Sequence, residues 1–166
     1  MGTGIRLPDW AERLLNDLGY QWPEISEGNL VELGGLYTQH GTTLAQVRGQ
    51  AHGSAQELVD ANAGDSVDAF RQKWQERQQP HDNLGIAQKA SIGTGIGMYG
   101  SAAIVIGLKV YTFVQLAILA IEIIEAIATS PETFGGSLLE IPVFKEIQGM
   151  LINAGINEAV NALLSA

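Results

Sequence analysis

Apolar residues recur along this chain at helical spacing. Over residues 92–128, Ile92, Ile96, Tyr99, Ala103, Ile106, Val110, Phe113, Ala117, Ala120, Ile124 and Ile127 follow one another at steps of four and three. That is the a/d seam of a long helix packed against other helices. The stretch is also apolar off the seam: between Met98 and Ile121 the only charge is Lys109. A helix apolar on all sides is either a central core helix or a membrane span. The predicted helix covers 83–128, and Thr129-Ser130-Pro131 stops it.

A second, smaller seam precedes it. Leu30, Tyr37, Leu44, Ala51 and Leu58 fall seven apart, with Leu33, His40, Val47, Ser54 and Ala61 as companions. This predicts a helix over 27–61 with Ser26 as its N-cap. Gly28, Gly34, Gly35, Gly41, Gly49 and Gly53 lie inside it, each costing up to about 1 kcal/mol of helix propensity relative to Ala. Tertiary packing must hold such a helix; close backbone approach is one reason for the glycines, and Gly34-Gly35 is a candidate break.

Three shorter helices complete the pattern. Residues 8–18 place Trp10, Leu14, Leu15 and Leu18 on one face, and Gly19 is the natural stop. Residues 65–78, capped by Asp65 or Ser66, pair an apolar face of Val67, Phe70 and Trp74 with a wet face of Arg71, Lys73, Glu76 and Arg77. After the Phe134-Gly135-Gly136 loop, Ser137 can cap a short turn. Pro142 then opens a last helix, with Val143, Ile147, Met150, Leu151, Ala154, Ile156, Val160, Leu163 and Leu164 as its apolar positions. Alternating strand patterns are scarce. The expectation is an all-α protein: a long antiparallel helical hairpin, extended by short N-terminal and C-terminal helices into a helical bundle, forming a single domain over 1–166.

Charge narrows the partners. Nine Lys and Arg stand against 18 Asp and Glu, a net charge of −9. Such a surface repels phosphate backbones and argues against nucleic acid. It also disfavours adsorption to anionic lipid by charge alone. There is no cysteine, so disulfides and thiolate metal sites are excluded. The first residues lack a basic region followed by an apolar one, so no general secretory signal is expected there.

Candidate chemistry is sparse, and each motif has a structural reading that fits better. Gly95-Ile96-Gly97-Met98-Tyr99-Gly100 spells G-x-G-x-x-G, but a dinucleotide site needs a strand before it, and here a helical heptad runs straight through. Gly93, Gly97 and Ser101 repeat at four and instead suggest a small-residue groove for a neighbouring helix. His40 and His52 are more than three turns apart on one helix and cannot share a metal. His40 falls on the seam as a polar packing residue. Thr112, Gln115, Glu122 and Thr129 lie on one stripe, which reads as the solvated edge of the long helix. No nucleophile–base arrangement accompanies them. No catalytic residue, metal ligand or cofactor is expected.

The long run must be weighed as a membrane span. Residues 98–121 are long enough. Lys109 near the middle costs about 2.5–3.5 kcal/mol on insertion scales, no Lys/Arg cluster flanks either end, and the heptad continues beyond the apolar part in both directions. These favour a core helix over a span.

From Trp22-Pro23-Glu24 onward the chain resembles a known family. The order is Trp22-Pro23-Glu24, a long helix, Gly64, Ala69-Phe70, Trp74, a long apolar helix, Ser130-Pro131-Glu132-Thr133, Gly136-Ser137-Leu138 and Ile141-Pro142-Val143. This is similar to the WXG-type (ESAT-like) N-terminal domain of actinobacterial type VII-secreted polymorphic toxins, including that of the mycobacterial channel-forming toxin. The likeness covers about 140 residues. It departs from the small family members in lacking Trp-x-Gly at the turn near Gly64; Trp74 lies further on. Tyr20 and Glu24 match the Tyr-x-x-x-Asp/Glu secretion signature but precede the hairpin, so that role is not carried over.

The resemblance implies a non-catalytic domain that takes an effector or toxin to the type VII machinery by a signal-peptide-independent route. Its partner would be another helical-hairpin protein or a second copy of itself. The residues expected at that packing or partner interface are Trp22, Phe70, Trp74, Gly93, Gly97, Ile104, Leu108, Val114, Ile118 and Ile121. The apolar flanks of the long helix, Val105 among them, need a cover. The rival expectation is a membrane-active or pore-forming protein that inserts the apolar helix over 98–128.

Overall fold

A computed structural model describes residues 4–76, 79–133 and 135–165. The chain is all-α: α1 (Asp9–Asp17), α2 (Glu27–Ala61), α3 (Asp65–Gln75), α4 (Pro80–Thr129) and α5 (Ile141–Ser165), with a 3-10 turn at Gly136–Glu140 and no strand among the described residues. Arg77, the expected helix end at Gln78, and Phe134 lie outside those residues. The fold clusters into two compact units, one of Met1–Leu30 with Gly100–Ala166, the other of Val31–Tyr99.

Local chemistry sets the element ends. α1 stops at Gly19, whose φ of +85° is the left-handed conformation that glycine adopts without a Cβ penalty. The Gly19 and Tyr20 N–H groups donate back to the Asn16 and Leu15 carbonyls, satisfying acceptors that the helix end leaves open. Ser26 Oγ accepts from the Asn29 N–H at 3.3 Å and starts α2 as an N-cap. α3 differs from expectation: Gly64 occupies the N-cap, at φ +121°, and Asp65 falls inside the first turn. α4 begins at Pro80, whose fixed φ suits a first turn. Ser137, inside the 3-10 turn, donates from its buried Oγ to the Ala126 carbonyl at 2.6 Å and ties that turn to the end of α4.

In the Val31–Tyr99 unit, α2 passes the first half of α4 in the opposite sense, and glycines set the spacing. A Cβ on Gly34 would lie 3.0 Å from the Gly95 carbonyl, one on Gly41 would lie 2.6 Å from Ile92, and one on Gly95 would lie 2.5 Å from Thr38 Oγ1. Close approach is therefore the reason for Gly34 and Gly41, whereas Gly49 and Gly53 face open space. α2 runs unbroken through Gly34-Gly35. Its inward positions are the small residues Gly34, Gly41 and Ala55, while Leu33, Tyr37, Val47, Leu58 and His40 of the expected seam are exposed.

α4 also turns a different face inward. Over 91–126 its buried positions are Ser91, Gly95, Ala102, Val105, Lys109, Thr112, Leu116, Leu119 and Ala126, with half-buried Met98 and Ile123 completing the spacing. That is an unbroken series of fours and threes set one residue ahead of the predicted seam. Ile96, Tyr99, Ile106, Val110, Phe113, Ile124 and Ile127, predicted to be core, are exposed. Of the expected solvated edge Thr129 is exposed but Thr112 is buried, and Lys109 and Val105 are buried as well. The same inversion marks α5, which buries Gln148 beside Ile152 and Ala159 and exposes Val143, Ile147, Met150 and Leu164.

The core of the first unit gathers Ala11 and Leu15 of α1, Leu116 of α4 and Ile152 of α5, with Leu7, Leu14, Leu18, Tyr20, Trp22 and Ile156 packed around them. Tyr20 OH donates to the Gly149 carbonyl and Tyr111 OH to the Leu151 carbonyl, both at 3.1 Å, fastening α5.

Candidate interaction site

Lys109 explains why α4 presents this face. Its side chain is 2% exposed, and Nζ donates to Glu27 Oε2 and to the Ile25 carbonyl, each at 2.8 Å. The other carboxylate oxygen, Glu27 Oε1, accepts from the Ile5 N–H. Trp22 Nε1–H donates to the Ile5 carbonyl at 2.9 Å, and its ring lies 5.7 Å from the ammonium. A buried ammonium is tolerable only when paired and hydrogen-bonded, and here two of its acceptors lie on the approach to α2. Burial pushes the Glu27 carboxyl upward; the hydrogen bonds from Lys109 and from backbone N–H groups outweigh it, so the group sits below its ordinary value.

With Lys109 and Thr112 turned in, much of the large-aliphatic seam of α4 is turned out. A groove of about 660 Å³ opens between α1 and α4, walled by Trp10, Leu14, Ala117, Ala120, Ile121, Ile123 and Ile124 and edged by Arg13 and Asp17. Trp10 and Phe113 continue its wall, their ring centroids 6.0 Å apart. Ile124 is 65% exposed. Its lining is apolar, with one cationic and one anionic side chain at its lip. A second apolar cavity, about 470 Å³, lies between α4 and α5 and contains Ile104 and Leu108.

The sequence-predicted interface residues are thus distributed rather than gathered. Ile121 lines the first groove, Ile104 and Leu108 the second, and Val114 and Ile118 are exposed on α4. Trp22 packs on the core of its own unit. Phe70 stacks on Trp74 at 5.7 Å in the other unit. Gly93 and Gly97 have nothing within 4 Å of a would-be Cβ, so the intramolecular glycine contact falls on Gly34, Gly41 and Gly95 instead. Sequence reasoning missed Trp10, Phe113 and Ile124 as groove residues because it assigned α4's outer seam to the core. Among the described residues no cluster of three or more His, Asp or Glu could hold a metal. No protein family, characterised protein or solved structure matches the chain.

Proposed function

We propose that this chain is a non-catalytic secretion and protein-interaction module, a type VII (ESX-like) trafficking domain of a secreted effector or toxin. It is made in the cytoplasm and reaches the cell surface or beyond without a signal peptide. In this reading residues 1–166 form one domain in which α2 and α4 make a long antiparallel hairpin and the other helices extend it into a bundle. The motif order from Trp22 to Val143 supports the export half of the reading. The interaction half is carried by one observation: large apolar residues of the outer seam of α4, Ile106, Val110, Phe113, Ile124 and Ile127, are exposed, and the α1 groove opens beside the last of them. A 3.5-residue apolar repeat is what a second helix requires. The occupant is a helix of another helical-hairpin protein or of a second copy.

Light scattering after size exclusion, on the chain alone and co-expressed with a hairpin protein from a type VII locus, tests this. A dimer or a one-to-one complex that loses apolar-dye binding is expected. A monomer that binds no such dye overturns the interaction half. Export that persists after deletion of the type VII machinery overturns the trafficking half.

One observation favours a second reading, insertion of the apolar helix over 98–128. The helical stretch ending at Thr129 is long and apolar enough to cross a membrane, and 28% of that window is buried. Insertion would have to separate Lys109 from Glu27 and carry a charge into hydrocarbon, at about 2.5–3.5 kcal/mol. Dye leakage from phosphatidylcholine vesicles is its test; an intact dye load at saturating protein eliminates it.

A further inference from the structure

The Val31–Tyr99 unit holds a cavity of about 470 Å³ lined by Ala45, Arg48, Gly49, His52, His81 and Gln88. Its polar lining is a guanidinium, two imidazoles and one amide, with no carboxylate among the described residues that line it. In a chain with twice as many acidic as basic residues, that is unusual. Arg48 joins none of the ion pairs among the described residues. Its guanidinium rests where a Cβ on residue 85 would stand 3.0 Å from Cζ, so Gly85 leaves the space that seats it. His81 is held flat on Trp74, ring centroids 4.5 Å apart and planes 12° apart, which fixes the imidazole in the cavity wall. His52 Nδ1 accepts from Trp74 Nε1–H at 3.5 Å, which puts the His52 proton on Nε2 and leaves that atom a donor.

We propose that this cavity binds a phosphate-class oxyanion. Arg48 is the charged anchor, since its planar fork matches a phosphate edge. His52 Nε2–H and the Gln88 amide supply further donors. Arg48 and His52 on α2 and Gln88 on α4 offer donors from two helices, which suits a tetrahedral anion better than a planar carboxylate. The net charge of −9 repels an anionic bilayer, so the source is the free ion rather than a lipid headgroup.

The imidazole NMR signals of the full chain test this in a titration with inorganic phosphate at constant ionic strength. His52 and His81 are expected to shift saturably while the exposed His40 does not. Arg48→Gln should weaken the apparent affinity at least ten-fold, and Arg48→Lys, which keeps the charge but not the fork, should weaken it less. Gln88→Leu removes the amide donor and should weaken binding several-fold even if Arg48→Gln fails to fold. Shifts that do not saturate, that His40 shares, or that both Arg48→Gln and Gln88→Leu leave unchanged overturn the site. Flotation with phosphatidate-containing vesicles, with no response to inorganic phosphate, overturns the free-ion assignment.

Discussion

Replacing Lys109 with methionine keeps the length of the side chain and removes the ammonium. Glu27, whose side chain is 8% exposed, then keeps its Ile5 N–H and loses the ion pair with Lys109; the Ile25 carbonyl loses that donor as well. Removing one member of a buried pair costs about 3–5 kcal/mol, because the remaining charge is neither solvated nor matched. Lost contact with the Trp22 ring falls within that range. Against a domain stability of about 5–15 kcal/mol this is a large fraction. Urea unfolding followed by helical circular dichroism measures it. Adding Glu27→Leu should recover much of the loss, since the uncompensated charge goes with it. The dependence on pH supplies the sign. In the native chain Glu27 sits below its ordinary 4.5, so its contribution is complete above that pH and is lost as pH falls through the folded value. In Lys109→Met burial is left largely unopposed, the shift reverses, and the folded state prefers the protonated acid. The deficit of the variant should therefore narrow between pH 7 and pH 5. A loss under about 1 kcal/mol, set against the 3–5 expected, or a deficit that widens on acidification, would refute the reasoning.

Gly95→Ala places a Cβ 2.5 Å from Thr38 Oγ1 and 2.8 Å from the Gly34 carbonyl, so thermal melts should show a loss of about 1–3 kcal/mol. Gly93→Ala meets nothing within 4 Å and should gain about 0.5–1 kcal/mol from helix propensity. Ser137→Ala leaves the Ala126 carbonyl without its 2.6 Å donor and should cost about 1–3 kcal/mol in the same melts. Ile124→Lys and Val114→Lys separate the two functional readings by rank order: Ile124 lines the α1 groove and Val114 does not, so association should suffer more from Ile124→Lys. Val114 stands near the middle of 98–128, so vesicle insertion should suffer more from Val114→Lys.

The extents of the elements were legible from local chemistry. α2 occupies the 27–61 expected of it, because Ser26 caps it and the turn at Gly64 follows. α1 ends where Gly19 was expected to end it. The glycine density of α2 correctly pointed to close backbone approach, but only the structure distinguishes Gly34 and Gly41, which need it, from Gly49 and Gly53, which do not. The inward face was not legible. In α4 several heptad series pass an apolarity test at once, because Ile, Val, Leu and Ala occupy every side of the helix. The choice among them depended on Glu27, about 80 residues away in sequence, which no periodicity within α4 can register.

Where α4 passes α2, the choice of face can be argued from size. The covered positions there are Ser91 and Gly95, whereas the exposed series carries Ile96. Small side chains let backbones approach, and an approach of that kind is what Gly34 and Gly41 already offer from α2 within their own unit. Rotating α4 by one residue would bring Ile96, near Gly95, toward glycine positions where added atoms meet backbone within 3 Å, and would strand Glu27 without Lys109. Overpacking and an unpaired buried carboxylate each cost more than about 1 kcal/mol. The observed rotation leaves apolar area exposed on Ile106, Val110, Phe113, Ile124 and Ile127, at about 25 cal/mol per Å². In the proposed reading a partner helix in the α1 groove recovers that burial without either penalty.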